Sequence, residues 1–396
     1  MANTLKFGAG NWATKEGSTL AYNDENGNFK PLPFDFTRAS SATVVNQQGL
    51  IETVGSGLPR IDFLGNTKGA LLLEMSRTNL IPYSDDFTQS TWQKQSAGVA
   101  SAPVVTSNYS ISPAGTLNAD RIIFNIEGGS TSSDFSQITD PVTVSGGDVS
   151  NSVYIKSNTT ANYTMSLVKP DGNFTTILVT TEWQRFEVNA AAPSASVAFR
   201  LRLRGSESTS DFADVSVWGA QLEEGSFASS YIPTSGSATT RSEDNAYQQN
   251  VTQVIGQSEG TMFIEFIPKD LSTLQILYQA KSSSGVVGQI DIRLQGGLIR
   301  ALANDGGVNQ FFINGGSYTV GTKYKVALRY KLNDSKLYIN GTDSGSDTTC
   351  NFTGSSLDQV SFADSLYSFL PSIDLLNARL YNTALTDVEL QALTTI

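Results

Sequence analysis

Short runs of alternating apolar and polar residues recur along the chain, and turn residues such as Gly, Asn, Asp and Ser separate them. Two examples are "SVAFRLRLRG" at 196–205 and "DFADVSVWGAQLE" at 211–223. A two-residue period is the pattern of a β-strand with one buried face, and no helical period lies between these runs. The pattern predicts an all-β chain built as antiparallel sandwiches or jelly rolls.

The strand-like runs fall into segments that differ in regularity. Residues 1–80 combine short apolar runs with many turn signals, which predicts an irregular β-rich segment without a core of its own. Residues 81–240 predict a first sandwich or jelly-roll domain, 241–258 a linker, and 259–396 a second sandwich in tandem with the first. The polar stretch "SGSATTRSEDNAYQQN", at 235–250, is the basis for the linker.

Two local motifs in the last segment make specific predictions. "KYKVALRYKLNDSKLYINGT" predicts a hairpin that turns at Asn333, Asp334 and Ser335. Thr386 stands three residues before Glu389 in "LTDVELQAL", which is the spacing of a capping box at the start of a short helix.

Composition removes several classes of function. The 396 residues hold no His and a single Cys, Cys350, which leaves no intrachain disulfide and no His-dependent catalytic or zinc site. With 26 basic and 37 acidic residues the net charge is −11, which disfavours nucleic acid as a partner. The N-terminus has no signal-peptide pattern, and no apolar run could span a bilayer. We therefore expect a soluble protein made in a cytoplasm, without membrane insertion.

Several segments resemble known families. "GTMFIEF", "YKVALRYKLNDSKLYINGT" and "LLNARLYNTALTDVELQAL" resemble laminin-G-like, concanavalin A-type lectin domains. "NLIPYSDDFTQSTWQK", "TEWQRFEV" and "WGAQLEEGSFASSYIPT" resemble a carbohydrate-binding-module jelly roll. The whole arrangement, with "FTRASSATVVNQQGLIETV" at 36–54, resembles fibre-like and receptor-binding proteins of tailed bacteriophages. This resemblance implies that residues 1–80 dock to other virion proteins and that the β-modules bind host glycans.

A glycosidase of such a fold would need a pair of carboxylates, one as the nucleophile and one as the acid. Lectin-like folds also carry retaining enzymes, whose active strand resembles E-x-D-x-x-E. The nearest match is "QIDIRL", where Gln289 and Leu294 replace the two glutamates and only Asp291 remains. Glu223 and Glu224 are neighbours on a strand, so they point to opposite faces and indicate exposed charges at a domain edge. We therefore predict no catalytic residue and no enzyme.

The run "VAFRLRLRG" places Arg200, Arg202 and Arg204 on one face of a strand. Like charges spaced about 7 Å apart repel each other, so the pattern predicts a partner on that face. Two partners stand open, namely acidic side chains of the next strand, with Asp214 as the candidate, or an anionic sugar. These four residues are candidate glycan-binding residues.

Trp218 is the fifth candidate glycan-binding residue. It shares a strand face with Asp214 and Ser216, opposite Val215 and Val217. An aromatic ring on an outer face can stack on a sugar, and the alternative is packing in the core or under an adjoining segment.

No metal site is assigned, and no cofactor is expected. "SDD" at 84–86 and "ANDGG" at 303–307 offer oxygens to Ca²⁺, but neither has the spacing of a calcium loop. Turn formation explains both stretches, so Ca²⁺ stays open without a specific motif.

These patterns predict a non-enzymatic virion protein of a tailed phage, on the head or the tail, that binds host surface polysaccharide. Many copies convert weak binding into avidity, so we expect a homotrimer or another homo-oligomer. Two alternatives stay open, a purely structural capsid or tail decoration protein and a glycan depolymerase.

Overall fold

The computed structural model describes residues 5–10, 12, 14–15, 18–23, 30–271, 274–283, 288–351, 356–363 and 369–396. Within these ranges, all regular elements except one 3-10 turn and one short helix are β-strands in antiparallel sheets. The predicted all-β class is confirmed.

The strands follow one another along three stretches of the chain. The first stretch holds β1 Leu5–Gly8, β2 Thr14–Lys15, β3 Ser18–Asn23, β4 Lys30–Thr37, β5 Ala42–Val45, β6 Ile51–Val54, β7 Ile61–Asp62, β8 Ala70–Leu73 and β9 Arg77–Asn79. The second holds β10 Gln93–Ala97, β11 Ser101–Ile111, β12 Leu117–Asn125, β13 Phe135–Thr143, β14 Asp148–Ser157, β15 Tyr163–Val168, β16 Phe174–Val179, β17 Gln184–Ala191, β18 Ser196–Arg204 and β19 Phe212–Glu224. The third holds β20 Thr239–Arg241, β21 Asn245–Gln249, the 3-10 turn Thr252–Val254, β22 Glu259–Pro268, β23 Gln275–Lys281, β24 Gly288–Gln295, β25 Leu298–Asp305, β26 Val308–Ser317, β27 Tyr324–Lys331, β28 Ser335–Ile339, β29 Thr342–Asp347, β30 Gln359–Ala363, β31 Ile373–Tyr381 and helix α1 Asp387–Thr394.

The second stretch forms the middle sandwich, which consists of two five-stranded sheets. The first sheet has the order β10-β13-β18-β15-β16, and the second sheet has the order β11-β12-β19-β14-β17. Alternate residues of β18, from Val197 to Leu203, point into one shared core with Trp92 and Val215. The period of two predicted from the sequence therefore produces one buried face on each sheet.

The third stretch forms a second sandwich together with strands from the N-terminal segment. Within it, β22 lies between β27 and β31. The first half of β31 pairs with β8 and its second half with β1, while β4 pairs with β21. Phe7, Phe34 and Phe36 are buried in the same core as Met262 and Phe266. The N-terminal strands thus complete the sandwich that the C-terminal strands begin.

The middle sandwich is an insertion in this composite sandwich. Its entry and exit run side by side, because β9 pairs with β20 and Tyr83 bridges to Ser235. The sequence predicts three consecutive units and a linker, whereas the structure joins the first and last units around the middle one. The physical reason is that apolar side chains of β1, β4 and β8 are buried in the core that the distant C-terminal strands form.

A buried ionic cluster lies at the base of the insertion. We call it the charged junction, and it consists of Arg38, Arg60, Glu74, Arg241 and Asp244. Asp244 pairs with Arg38 at 3.0 Å and with Arg60 at 2.5 Å, and Glu74 pairs with Arg60 at 2.7 Å. Burial alone would raise the pKa of Glu74, but Arg241 and Arg60 outweigh it and hold this pKa well below its usual range. Arg241 and Asp244 come from the predicted linker, which is therefore an ordered part of the fold.

Both local motifs of the last segment are confirmed. β27 and β28 form a hairpin, and Asn333 adopts a positive φ of 54° at its turn. Helix α1 begins after Thr386, whose side chain accepts a hydrogen bond from the Glu389 amide while Glu389 bonds back to the Thr386 amide. This is the predicted capping box.

Candidate functional site

The outer face of the first sheet carries the arginine row of β18. The strand register places Arg200 beside Thr139 and Arg202 beside Gln137 on the neighbouring β13. At the edge of the same face, Phe174 and Leu178 of β16 are 41% and 54% exposed. We call this surface the open face, because apolar side chains on it reach solvent.

Two of the three arginines have a partner within the module. Glu207 accepts hydrogen bonds from Arg202 Nε at 2.8 Å and from Arg202 Nη2 at 2.6 Å. Arg204 Nη1 lies 3.3 Å from the same carboxylate, and its side chain also packs over the Phe135 ring. Glu207 belongs to the loop directly after β18, which folds back over the open face. Arg202 and Arg204 therefore share one carboxylate of their own loop.

Arg200 differs from its two neighbours. Within the described part of the chain it has no hydrogen bond and no carboxylate at ion-pair distance, although it is half-buried. It lines a groove of about 240 Å³ together with Lys169, Pro170 and Asp171. Both oxygens of Asp171 accept hydrogen bonds from Asn173. Because Arg200 and Lys169 face this one carboxylate, the groove has an excess of positive charge. Burial lowers the pKa of Arg200, and the charge of Arg202 acts in the same direction.

Asp214 is not the partner of the arginine row, so this prediction is wrong. Its oxygens accept hydrogen bonds from Arg121 at 2.8 and 2.5 Å and from Asn158 at 2.9 Å. The reason is topological, because the chain crosses from the first sheet to the second between β18 and β19. Asp214 therefore lies on a different sheet from Arg200, with its oxygens engaged.

Trp218 lies on the outer face of the second sheet, as its strand parity predicts, and is 3% exposed. Its ring packs against Tyr231 at 4.4 Å and Tyr154 at 5.6 Å between ring centroids, and Ile51 belongs to the same cluster. The N-terminal segment and the exit after β19 thus cover the indole. In this position Trp218 has no open ring face for a sugar, which matches the alternative of packing under an adjoining segment.

The paired glutamates fasten the exit of the middle sandwich. The prediction of exposed charges is wrong for Glu223, which is 0% exposed and accepts hydrogen bonds from Gln221 and from the amide and hydroxyl of Ser229. Glu224 is bound instead by Ser145, on the opposite side of the strand. Burial raises the pKa of Glu223, and the bonds from Ser229 and Gln221 oppose this rise.

Asp291, the carboxylate left in the glycosidase-like strand, is also engaged. It is 0% exposed and accepts hydrogen bonds from Arg293 Nε at 2.6 Å and Nη2 at 2.5 Å. Burial raises its pKa and Arg293 lowers it, with burial the larger effect.

A second concave region lies where the two sandwiches meet. This cleft of about 300 Å³, the junction cleft, has walls from the N-terminal segment, from the second sheet with its exit, and from the composite sandwich. The residues that line it include the charged Asp62, Arg185, Lys269 and Asp374 and the apolar Leu64 and Val320.

The carboxylates of the junction cleft are incompletely bonded. Asp62 is 6% exposed, and its Oδ1 accepts the amides of Val45 at 3.1 Å and Leu64 at 3.2 Å. Asp374 Oδ2 lies 3.0 Å from Lys269 Nζ, whereas its Oδ1 is buried without a hydrogen bond. Burial raises the pKa of Asp62, and it raises the pKa of Asp374 to about 6 against the opposing charge of Lys269.

No sequence pattern pointed to the junction cleft. Asp62, Lys269 and Asp374 lie far apart along the chain. Each lies in or next to a strand, where a charged residue in the sequence predicts a solvent-exposed position. The pairings of β22 with β31, of β31 with β8 and of β8 with β7 bring them together.

The described residues contain no group of three or more His, Cys, Asp or Glu side chains placed to hold a metal ion. In the "SDD" stretch, Asp85 accepts a hydrogen bond from Asn118, and Asp86 accepts hydrogen bonds from Thr88 and Gln89. A search of the described helices finds none with the length and apolarity of a membrane span.

Comparison with known proteins gives no family, since no protein-family model and no curated protein matches the chain. Solved structures that resemble part of it include carbohydrate-binding modules. The CBM40 module of the Ruminococcus gnavus IT-sialidase, bound to α2,3-sialyllactose, is 16% identical over 37% of this chain and 91% of that one, with a TM-score of 0.33. Domain 4 of AbnA, an arabinanase from Geobacillus stearothermophilus, was solved in complex with arabinotriose. It is 16% identical over 39% of this chain and 73% of that one, with a TM-score of 0.32.

The NanB sialidase of Streptococcus pneumoniae is 16% identical over 38% of this chain and 26% of that one, with a TM-score of 0.33. At these TM-scores the similarities carry no argument about the ligand or the activity of this chain. The all-β class rests on the sheets described above.

Proposed function

We propose that the protein is a non-enzymatic adhesin that binds acidic polysaccharide on the open face of its middle sandwich. One observation carries this proposal, namely the unpaired Arg200 guanidinium in a groove that it shares with Lys169. A half-buried cation without a counter-ion is unfavourable, and a ligand carboxylate would supply the missing partner. Arginine binds a carboxylate through two parallel hydrogen bonds, which suits the carboxyl group of a uronic acid.

The surroundings of Arg200 support a sugar as the bearer of that carboxylate. Phe174 offers an exposed aromatic ring at the edge of the open face, and aromatic rings pack on the C–H faces of sugars as they do on apolar groups. Gln93 and Gln95 of β10 add amide groups on the same face, linked by a 2.7 Å hydrogen bond. Amide, guanidinium and aromatic groups together meet the needs of a polyhydroxylated anion.

The proposal includes a tailed-phage virion as the setting. It rests on the resemblance of the whole arrangement, including residues 36–54, to phage fibre-like proteins. In this setting the N-terminal region docks to other virion proteins, and host surface polysaccharide is the target. A homotrimer or another homo-oligomer would turn a shallow groove of weak affinity into firm attachment. Light scattering of the purified chain and antibody labelling of intact particles test these two statements separately, and a monomer or unlabelled particles would contradict them.

Replacing Arg200 by Gln should weaken binding of polygalacturonate, a uronic-acid polysaccharide, by about ten-fold or more. The substitution removes the charge and keeps a polar, though shorter, side chain. Because Arg200 has no internal partner in the described chain, the thermal midpoint should stay within about 1 °C of wild type. Calorimetric titration of the full chain measures the affinity, and scanning calorimetry measures the midpoint.

Arg300→Gln is the matched control, because Arg300 is also a partly exposed strand arginine without an ion pair in the described chain. It should leave the affinity unchanged. Equal binding by wild type and Arg200→Gln would contradict the site. Absence of binding to acidic and neutral polysaccharides alike would favour the decoration-protein alternative.

A further inference from the structure

The junction cleft contains carboxylate oxygens that lack hydrogen-bond donors. Asp374 Oδ1 is buried with no partner. Asp62 Oδ2 is not fully buried and receives no hydrogen bond from a described residue, since the amides of Val45 and Leu64 donate to Oδ1. A buried acceptor without a donor costs roughly 1–3 kcal/mol, so Asp374 Oδ1 indicates a ligand that donates hydrogen bonds, and Asp62 Oδ2 offers this ligand a second acceptor. The missing ligand groups are therefore hydroxyl or amine hydrogens.

The cationic groups of the cleft set the charge of this ligand. Lys269 is paired with Asp374, and Arg185 lies 3.2 Å from Glu187. The three carboxylates of Asp62, Glu187 and Asp374 thus face two cations, whereas Glu74 and Asp244 of the charged junction face three arginines. Counted together, these five carboxylates and five cations balance, so the cleft has no net positive charge to attract an anionic ligand. Donors on Lys269 and Arg185 are still present to meet acceptor atoms of a neutral one.

Apolar side chains form the rest of the walls. Leu64 comes from the N-terminal segment, Phe227 from the exit after β19, and Val320 from the turn between β26 and β27. The volume of about 300 Å³ is at the small end of the range for ligand pockets, about 300–1,000 Å³. A ring with hydroxyl groups on its rim and C–H groups on its faces matches both the size and the mixture of polar and apolar walls.

We infer that the junction cleft is a second saccharide site, which holds a single neutral pyranose ring between the two sandwiches. Hydroxyl groups of the ring donate to Asp62 Oδ2 and Asp374 Oδ1, and its oxygens accept from the cations. The site goes beyond the proposed function because it shares no residue with the groove at Arg200 and takes a ligand of different charge. A glycan with both acidic and neutral units could occupy both sites.

The test uses the full chain and the methyl glycosides of glucose, galactose and mannose at millimolar concentration. Saturation-transfer NMR should show binding of at least one hexoside to wild type. Asp62→Asn should weaken it about ten-fold, because the asparagine oxygen still accepts the amides of Val45 and Leu64 while its NH₂ removes the free acceptor. Glu259→Gln, an exposed carboxylate outside the cleft, is the control and should bind as wild type does.

A steric variant keeps the test decisive if Asp62→Asn folds poorly. Val320 is 38% exposed in its turn, so Val320→Trp should fold and fill the cleft, which abolishes hexoside binding. Val308→Trp places the same ring at the first residue of β26, which is 63% exposed, and should leave binding intact. Absence of hexoside binding by wild type, equal binding by Val320→Trp, or preference for glucosamine over methyl glucoside would overturn the inference. Polygalacturonate titration reports on the Arg200 groove alone, so either site can fail without the other.

Discussion

Replacing Asp244 by Asn should lower the free energy of unfolding by about 3–5 kcal/mol, the range for removing one partner of a buried ion pair. Asp244 is 1% exposed and is the shared counter-ion of Arg38 and Arg60. It also accepts the backbone amide of Glu74 at 2.9 Å. The amide keeps the volume but removes the charge, so three buried arginines of the charged junction are left with Glu74 as their only carboxylate.

Urea unfolding followed by circular dichroism measures this change. Glu259→Gln is the matched control, because Glu259 pairs with Lys331 at 3.8 Å while 40% of its side chain is exposed. Exposed pairs of this kind contribute about 0–1 kcal/mol, so the control should unfold close to wild type. If Asp244→Asn and wild type unfold at the same urea concentration, the charged junction does not hold the insertion in place.

Trp218→Ala should cost about 3–5 kcal/mol of stability, which is the range for truncating a buried tryptophan, and should leave polygalacturonate affinity unchanged. The indole packs against Tyr231 and Tyr154, so the truncation leaves a cavity between the second sheet and the segment that covers it. Thermal unfolding and titration of the same preparation separate packing from ligand contact.

Trp183→Ala is the comparison within the same cluster. Trp183 is partly exposed and its Nε1 donates to the Ile111 carbonyl at 3.0 Å, so its truncation should cost less than that of Trp218. A stable Trp218→Ala protein that no longer binds polysaccharide would restore the tryptophan as a stacking platform.

Local features of the fold could be predicted from the sequence because their causes are local. The period of two in β18 fixes which side chains face the core, and Thr386 with Glu389 fixes the start of the helix. The β27–β28 hairpin follows from turn residues between two strand-like runs. In each case the stabilising contacts lie within a few residues of one another.

Strand pairing over long distances could not be predicted in the same way. Nothing in "LKFG" of β1 specifies β31 as its partner, since any strand edge with a matching apolar face satisfies the same backbone groups. The ordered structure of the predicted linker could not be predicted from the sequence for a related reason. Arg241 and Asp244 are polar in the sequence and become buried only because Arg38, Arg60 and Glu74 meet them at the base of the insertion.

The site residues show the same division. The side on which Arg200, Arg202 and Arg204 lie follows from strand parity, but which of them is free depends on the loop that carries Glu207. The predicted pairing of Asp214 with the arginine row is wrong because strand parity does not determine which sheet a strand joins. The junction cleft has no sequence signature, since its walls come from three separate stretches of the chain.

A crystal structure of the full chain soaked with trigalacturonate tests the central claim most directly. We predict density for a uronic-acid unit in the groove of the open face, with its carboxylate within about 3 Å of the Arg200 guanidinium and near Lys169. A groove without ligand in a crystal that holds trigalacturonate elsewhere on the chain would contradict the proposed site.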